Sequence, residues 1–170
     1  MTKAFIGVGS NIKPEINIEK ALDLLKEFVE VTSISSFYKT KPLFDKKIND
    51  FFNGVWKIET DLTPLELKFN VLKKIEKMLH RKKNKDKYSS RIIDLDLLLF
   101  DNVIMKNKKI IIPDPDIYKR SFIYIPLHEL DPDLIIPDTS KHIRALINNY
   151  DDNQLILMKD FSDYLKSKII

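Results

Sequence analysis

The ten residues Arg91-Ile92-Ile93-Asp94-Leu95-Asp96-Leu97-Leu98-Leu99-Phe100 constrain this chain more than any other stretch. The leucine-rich run reads as a buried strand, yet it carries two carboxylates at i, i+2. On a strand such positions share a face. Leu98 and Phe100 continue that face, and Leu95, Leu97 and Leu99 fill the other. Adjacent carboxylates repel and are costly to desolvate. Two resolutions are open. Either the acids lie on the wet face of a one-sided sheet, or they face a cleft and hold a divalent cation. All-oxygen ligation suits Mg²⁺, which commonly takes phosphate oxygens as its remaining ligands. A strand that is polar only at its entrance has the pattern of one that opens into a cleft, so phosphate chemistry comes into view.

Composition narrows the setting. The chain has 170 residues, 44% of them hydrophobic, which suits one domain over 1–170 with an ordinary core. It has no cysteine, so disulfide frameworks, thiol catalysis and Cys-type zinc sites are excluded. No apolar run reaches the roughly 18 residues of a membrane span. The N-terminus begins directly with a strand-like pattern and lacks a signal-peptide layout, which gives the expectation of a soluble cytoplasmic protein. The net charge is +4, and the run Arg81-Lys82-Lys83-Asn84-Lys85-Asp86-Lys87 accounts for it. The remainder is near neutral, so no global nucleic-acid-binding surface is implied. The run is either a solvated loop or a lid that closes over polyphosphate.

The coarse order of elements is β-α-β-β-α-β, the split βαβ of ferredoxin-like α+β folds with a mostly antiparallel sheet. The strand Lys3–Val8 leads into a turn at Gly9-Ser10-Asn11. Asn17 is a candidate cap for a helix from Ile18 to Phe28, with Ala21, Leu22, Leu25 and Phe28 inward. Val31–Thr40 and Phe51–Glu59 are expected to pair as a hairpin across a long polar loop. Thr63-Pro64-Leu65-Glu66 has the form of a capping box with proline at the first helical position. Its helix is expected to reach Leu79 with Leu65, Phe69, Leu72, Ile75, Met78 and Leu79 facing the core. The rest is a C-terminal elaboration: short strands near 103–105, 109–112 and 134–136, helices near 122–130 and 142–150, and a final amphipathic piece. Gly7-Val8-Gly9 is not followed by glycine at position 12, and no Gly-Lys-Ser/Thr loop exists. A nucleotide is therefore held by neither the dinucleotide fingerprint nor the Walker loop.

Four motifs occur in order. They are Gly9-Ser10-Asn11, Tyr38-Lys39-Thr40-Lys41-Pro42-Leu43, Arg91-x-x-Asp94-Leu95-Asp96-Leu97-Leu98, and Pro113-x-Pro115-x(4)-Arg120-x-Phe122-x(3)-Pro126-Leu127-x-Glu129. Together they resemble the 6-hydroxymethyl-7,8-dihydropterin pyrophosphokinases of folate biosynthesis, over residues 1–150. Residues 151–170 carry nothing diagnostic and read as an extension that either adds a strand and helix or supports self-association.

The resemblance implies transfer of the β,γ-pyrophosphoryl group of ATP to the pterin hydroxymethyl oxygen, with release of AMP. It implies two Mg²⁺ ions on Asp94 and Asp96, with Arg81 and Arg91 completing the catalytic set. ATP contacts are implied for Glu76, Arg81, Arg91, Leu97, Pro113, Asp114 and Arg120. Pterin contacts are implied for Thr40, Pro42, Leu43, Phe51, Asn53 and Phe122, with the two phenylalanines stacking on the ring and the Asn53 amide reading its edge. Each residue has a plainer reading beside it. Arg81 can be a surface arginine, Arg120 an ion-pair partner of Asp116 or Glu129, and Glu76 an i, i+4 partner of His80. The phenylalanines can be core residues. Asp114 departs from the family, which often has histidine there. Tyr88 stands where other members have tryptophan. The loops Lys41–Asp50 and Arg81–Ser90 are expected to be mobile without ligand and ordered with both substrates. A monomer is expected, with possible contact to the next folate-pathway enzyme and with neither nucleic acid nor membrane as partner.

Two other classes compete. A ferredoxin-like RNA-binding module shares the order of elements, but acids at Asp94 and Asp96 would repel phosphate on its central strands. An unrelated Mg²⁺-dependent phosphotransferase would share the carboxylate pair and yield ADP in place of AMP.

Overall fold

The computed structural model describes residues 1–42, 47–79, 91–150 and 155–170. Leu43, His80, Arg81, Tyr88, the whole expected lid loop Arg81–Ser90 and residues 43–46 of the other lie outside the described residues. The sheet is built on β1 (Thr2–Ser10), which pairs antiparallel with β4 (Phe51–Thr60) on one side and β5 (Asp94–Phe100) on the other. The far edge of β4 takes both β2 (Glu30–Ile34) and β3 (Tyr38–Thr40), and β3 in turn pairs with β10 (Ile156–Leu157). This is the ferredoxin-like arrangement expected from the element order, with one strand added by the C-terminal extension.

The expected second strand is thus two strands. Between them Ser35 takes over the ladder at Val55: its N–H donates to the Val55 carbonyl at 3.0 Å, and its Oγ accepts from the Val55 N–H at 2.8 Å. The kink brings the Phe37 ring onto Gly54, where an added Cβ would lie 2.7 Å from the ring. Only glycine permits that approach.

The first helix, α1 (Pro14–Leu25), starts before the expected cap. Pro14 occupies the first turn, where its missing N–H costs nothing. Asn17 therefore lies inside the helix, with its amide donating to the Ile12 carbonyl at 2.6 Å. Ala21, Leu22 and Leu25 are buried as expected, joined by Ile18, whereas Phe28 is beyond the helix end and 37% exposed. The capping box at Thr63 and Glu66 forms as read, opening α2 (Pro64–Glu66). A π-helical segment (Leu67–Leu72) and α3 (Lys73–Met78) continue it. The wider π turn rotates the buried stripe. Leu67 and Val71 are buried with Leu72 and Ile75, while Leu65, Phe69 and Met78 are exposed, against the expectation for those three.

Alternation along β1 divides the core in two. Ala4, Ile6 and Val8 face α1, α3 and the C-terminal helix α6 (Lys159–Ser167), which contributes Phe161 and Leu165. Phe5 faces the opposite layer, where Val55, Leu98, Leu99, Ile123 and Leu127 gather under α4 (Ser121–Leu130). A bulge between Phe5 and Ile6 shifts the β5 register. It puts Leu98 and Leu99 both in the α4-side cluster and Phe100 in the other, so the strict alternation expected for β5 fails at its end. Between β5 and α4 lie a two-stranded ribbon, β6 (Met105–Lys106) with β7 (Ile111–Ile112), and a 3₁₀ turn (Pro115–Tyr118). The remaining short elements are the ribbon β8 (Ile135–Ile136) with β9 (Lys141–His142) and the helix α5 (Arg144–Ile147). Among the described residues no helix is long and apolar enough to cross a membrane.

Candidate active site

The α4 layer covers only one end of its sheet face. At the other end two cross-strand rows are open. Asn53 pairs with Gly9, which pairs with Asp94; Val55 pairs with Gly7, which pairs with Asp96. Residues directly opposite share a face, so the two glycines place bare backbone beside both aspartates. The effect is a floor without side chains. A Cβ at Gly9 would lie 2.8 Å from Asn53 Oδ1, so glycine is needed to keep that amide where it is. Asn53 Nδ2 donates to Thr40 Oγ1 at 2.7 Å, which fixes which end of the amide faces Gly9.

Two recesses open from this floor. One, of about 150 Å³, is lined by Thr40, Phe51, Asn53, Arg120, Phe122 and Ile123 among others. The second, of about 420 Å³, runs between the helical segment and the β6–β7 ribbon, with Lys68, Lys73, Lys108, Lys109, Leu97 and Asp114 in its walls. Arg91, Asp94, Asp96 and Asp116 line both. The carboxylate strand is therefore a partition between an aromatic pocket and a lysine-lined one.

The partition is firmly held. Arg91 donates to Asp94 Oδ2 at 3.1 Å. The Arg91 backbone is clamped by Asn11, whose Oδ1 accepts from the Arg91 N–H at 2.6 Å and whose N–H donates to the Arg91 carbonyl at 3.1 Å. Ser10 Oγ donates to the Ile92 carbonyl at 2.6 Å, and Asn11 Nδ2 to the Asn49 carbonyl at 3.1 Å. Gly9-Ser10-Asn11 is thus a latch that ties the end of β1 to the entry of β5. From the helical side Glu76, 3% exposed, accepts from the Leu95 N–H at 2.9 Å. Leu95 lies between the two aspartates, so Glu76 braces their strand.

Asp96 shows the cost of the pair. Its carboxyl is pushed up to about 8, first by the protein crowded around it, then by the charges of Asp94 and Asp114, with Lys73 opposing and Glu76 adding. The side chain stands at the mouth of the recesses, where the charges of Asp94 and Asp114 add to the effect of the surrounding protein. A carboxylate so placed is one that a divalent cation would keep ionised.

The remaining residues fall as follows. Asp114 caps the 3₁₀ turn, accepting from the Asp116 N–H at 2.8 Å, and its own N–H donates to the Leu98 carbonyl at 2.9 Å. Pro113 is buried and lines neither recess, and the same holds of Pro42, which is only half-buried. Arg120 borders the aromatic recess and not the lysine-lined one. Its suggested ion pair with Glu129 is not formed: that carboxylate accepts from the Ser36 N–H and from Lys166 Nζ at 2.9 Å. Lys73 and Asp116 also line the recesses, a placement the sequence did not suggest. Nor did the sequence suggest a role for Gly7 and Gly9, although their i, i+2 spacing on the strand beside Asp94 and Asp96 was a usable signal.

A shallow aromatic pocket and a cationic pocket that meet at a carboxylate pair define a phosphate-transferring enzyme of two substrates. Residues 5–132 match the family model for 7,8-dihydro-6-hydroxymethylpterin-pyrophosphokinase, and the chain belongs to that family. It is 36% identical over 159 residues to the 2-amino-4-hydroxy-6-hydroxymethyldihydropteridine pyrophosphokinase of Haemophilus influenzae, covering 92% of this chain and 98% of the relative. The enzyme of the same name from Aquifex aeolicus is also 36% identical, over 145 residues, covering 85% and 89%. In structure the chain resembles the Plasmodium falciparum HPPK-DHPS, with a TM-score of 0.71 at 16% identity. That match covers 88% of this chain and 44% of the longer one, and it bears on the fold alone.

Proposed function

We propose that the wall shared by the two recesses is where a pyrophosphoryl group passes from ATP, in the lysine-lined recess, to 6-hydroxymethyl-7,8-dihydropterin in the aromatic one. The reaction is that of the family: ATP is the donor, the dihydropterin hydroxymethyl the acceptor, and AMP and the pterin diphosphate the products, a step of folate biosynthesis. The observation that carries the site assignment is the double membership of Arg91, Asp94 and Asp96, which border both recesses. A group bound in one pocket meets a group bound in the other at these side chains.

The hydroxymethyl oxygen forms a bond to the β-phosphorus while the bond from that phosphorus to the α-phosphate oxygen breaks. AMP leaves with the electron pair, and the hydroxyl proton passes to solvent. Such transfers depend on positioning and charge neutralisation more than on covalent chemistry. Phe51 and Phe122 offer flat faces to the pterin, and Asn53, oriented by Thr40, presents its carbonyl oxygen to the ring edge. Arg91, clamped by Asn11, directs a guanidinium at phosphate oxygens from a fixed position.

The donor set fits Mg²⁺. Burial together with the charges of Asp94 and Asp114 lifts the Asp96 carboxyl, and no cluster of three or more His, Cys, Asp or Glu among the described residues forms an all-protein cage. Two carboxylates with substrate phosphates is the ligation Mg²⁺ prefers. Asp94 and Asp96 would hold the two ions expected of this family, and bound Mg²⁺ would supply phosphate charge neutralisation and a more acidic attacking hydroxyl.

The test is the nucleotide product. Protein incubated with ATP, Mg²⁺ and the dihydropterin should form AMP, and neither a pterin-free nor an EDTA-treated sample should. ADP as the product would contradict the reading.

A further inference from the structure

The lysine-lined recess poses an electrostatic problem. Four carboxylates, Asp94, Asp96, Asp114 and Asp116, line it, yet the nucleotide that enters is itself polyanionic. Mg²⁺ offsets part of this charge, and fixed cations on the opposite wall must offset more. Those cations differ in how they are held. Lys68 Nζ donates to the Lys109 carbonyl at 2.8 Å and so joins the helical segment to the β6–β7 ribbon. Lys108 and Lys109 are exposed on the ribbon itself. Lys73 is anchored: its Nζ lies 3.2 Å from Glu76 Oε2, while Glu76 Oε1 holds the Leu95 N–H between the two aspartates. One buried carboxylate therefore ties the Lys73 ammonium to the strand that bears the acids. The Lys73 side chain is still 39% exposed, open to the recess it lines.

We propose that Lys73 is a nucleotide-binding residue that receives the phosphate chain of ATP on the AMP side of the bond that breaks; this rests on the pyrophosphoryl-transfer reading of the site. For the acceptor to reach it, the β-phosphorus must lie at the shared wall. The α-phosphate then lies further into the lysine-lined recess, on the side Lys73 borders. Negative charge grows on the α-phosphate oxygen as its bond to the β-phosphorus breaks. An ammonium already held in place meets that charge without reorganising, and its hydrogen bonds to phosphate are charge-assisted. A structural role alone, neutralising buried Glu76, would need no ligand.

The experiment measures calorimetric binding of α,β-methylene ATP, which cannot undergo the transfer, in the presence of Mg²⁺. Wild type, Lys73→Met, Lys73→Gln and Lys73→Arg are compared, with Tm recorded for each. Lys73→Gln keeps a donor for Glu76 and removes only the charge, so it serves if Lys73→Met fails to fold. The expected result is a Kd raised about tenfold or more in the Met and Gln variants, largely recovered in Lys73→Arg, with pterin affinity unchanged. Analogue affinity within twofold of wild type in the neutral variants, whatever their Tm, would overturn the role of Lys73. Wild type is assayed in parallel for pterin-dependent AMP formation. Its failure there would overturn the reading of the site itself, a different outcome from unchanged analogue binding in an active enzyme.

Discussion

Asp96 stands on the wall shared by the two recesses, and its environment gives it a pH signature. Its carboxyl is raised to about 8 in the ligand-free fold, above the ordinary carboxylate value near 4. Between those values the folded protein holds a proton that the unfolded chain has lost, so stability falls as pH rises through this window. Thermal denaturation without divalent cation should show Tm declining from about pH 4 to 8, and Asp96→Asn should flatten that slope. Mg²⁺ binding should release a proton below pH 8, visible as a calorimetric enthalpy that depends on the buffer's ionisation heat. A binding heat independent of buffer would contradict the account of Asp96. Gly9 gives a second residue-scale prediction. In Gly9→Ala the new methyl must displace Asn53 Oδ1, which is 2.8 Å away. Pterin affinity should fall with ATP affinity unchanged, since the displaced Asn53 lines the aromatic recess and not the lysine-lined one.

At the scale of elements, legibility followed the strength of the local signal. The capping box at Thr63 and Glu66 was readable because its chemistry is local. The carboxylate strand was readable because two acids in an apolar run are expensive without a purpose. The buried stripe of the following helix was misread because its π segment breaks the 3.6-residue period on which the reading depends. Phe100 was misplaced because a bulge shifts the register where β5 meets Phe5 and Ile6, and bulges leave no mark in leucine-rich sequence. Asn17 was read as a cap since asparagine before an apolar run has that meaning, but Pro14 had already opened the helix. For Glu76 the sequence suggested a nucleotide contact or pairing with His80, which lies outside the described residues; its hydrogen bond to the Leu95 backbone joins residues far apart in sequence, which no local pattern reveals. Glu76→Leu should leave that buried N–H unpaired and lower stability by about 1–3 kcal/mol, measured by urea denaturation. No loss of stability would remove Glu76 as the brace of β5.

At the scale of the whole molecule, the C-terminal residues belong to the core. Phe161 and Leu165 pack with α1 and the sheet, Ser162 Oγ accepts from the Phe37 N–H at 2.8 Å, and β10 extends the sheet beyond β3. Of the two roles considered for this extension, the structure displays the added strand and helix. Removing residues 151–170 should lower Tm substantially, since it takes Phe161 and Leu165 out of the core and leaves the Phe37 N–H without its Ser162 partner; an unchanged Tm would show the extension to be dispensable. The same global view explains the site. Helices α1, α3 and α6 pack on one face of the sheet and α4 on part of the other, and the part α4 leaves open is where two glycines, two aspartates and two pockets meet. The most direct measurement is a single-turnover reaction with ATP labelled on the α- or the β-phosphorus, in wild type and in Asp96→Asn. The account predicts that α label appears in AMP and β label in the pterin product. It also predicts that Asp96→Asn slows this transfer by roughly 10²–10³-fold or more, the scale of losing one preorganised electrostatic contact, while remaining folded. Label from the β-phosphorus retained in ADP, or a variant that transfers at the wild-type rate, would contradict it.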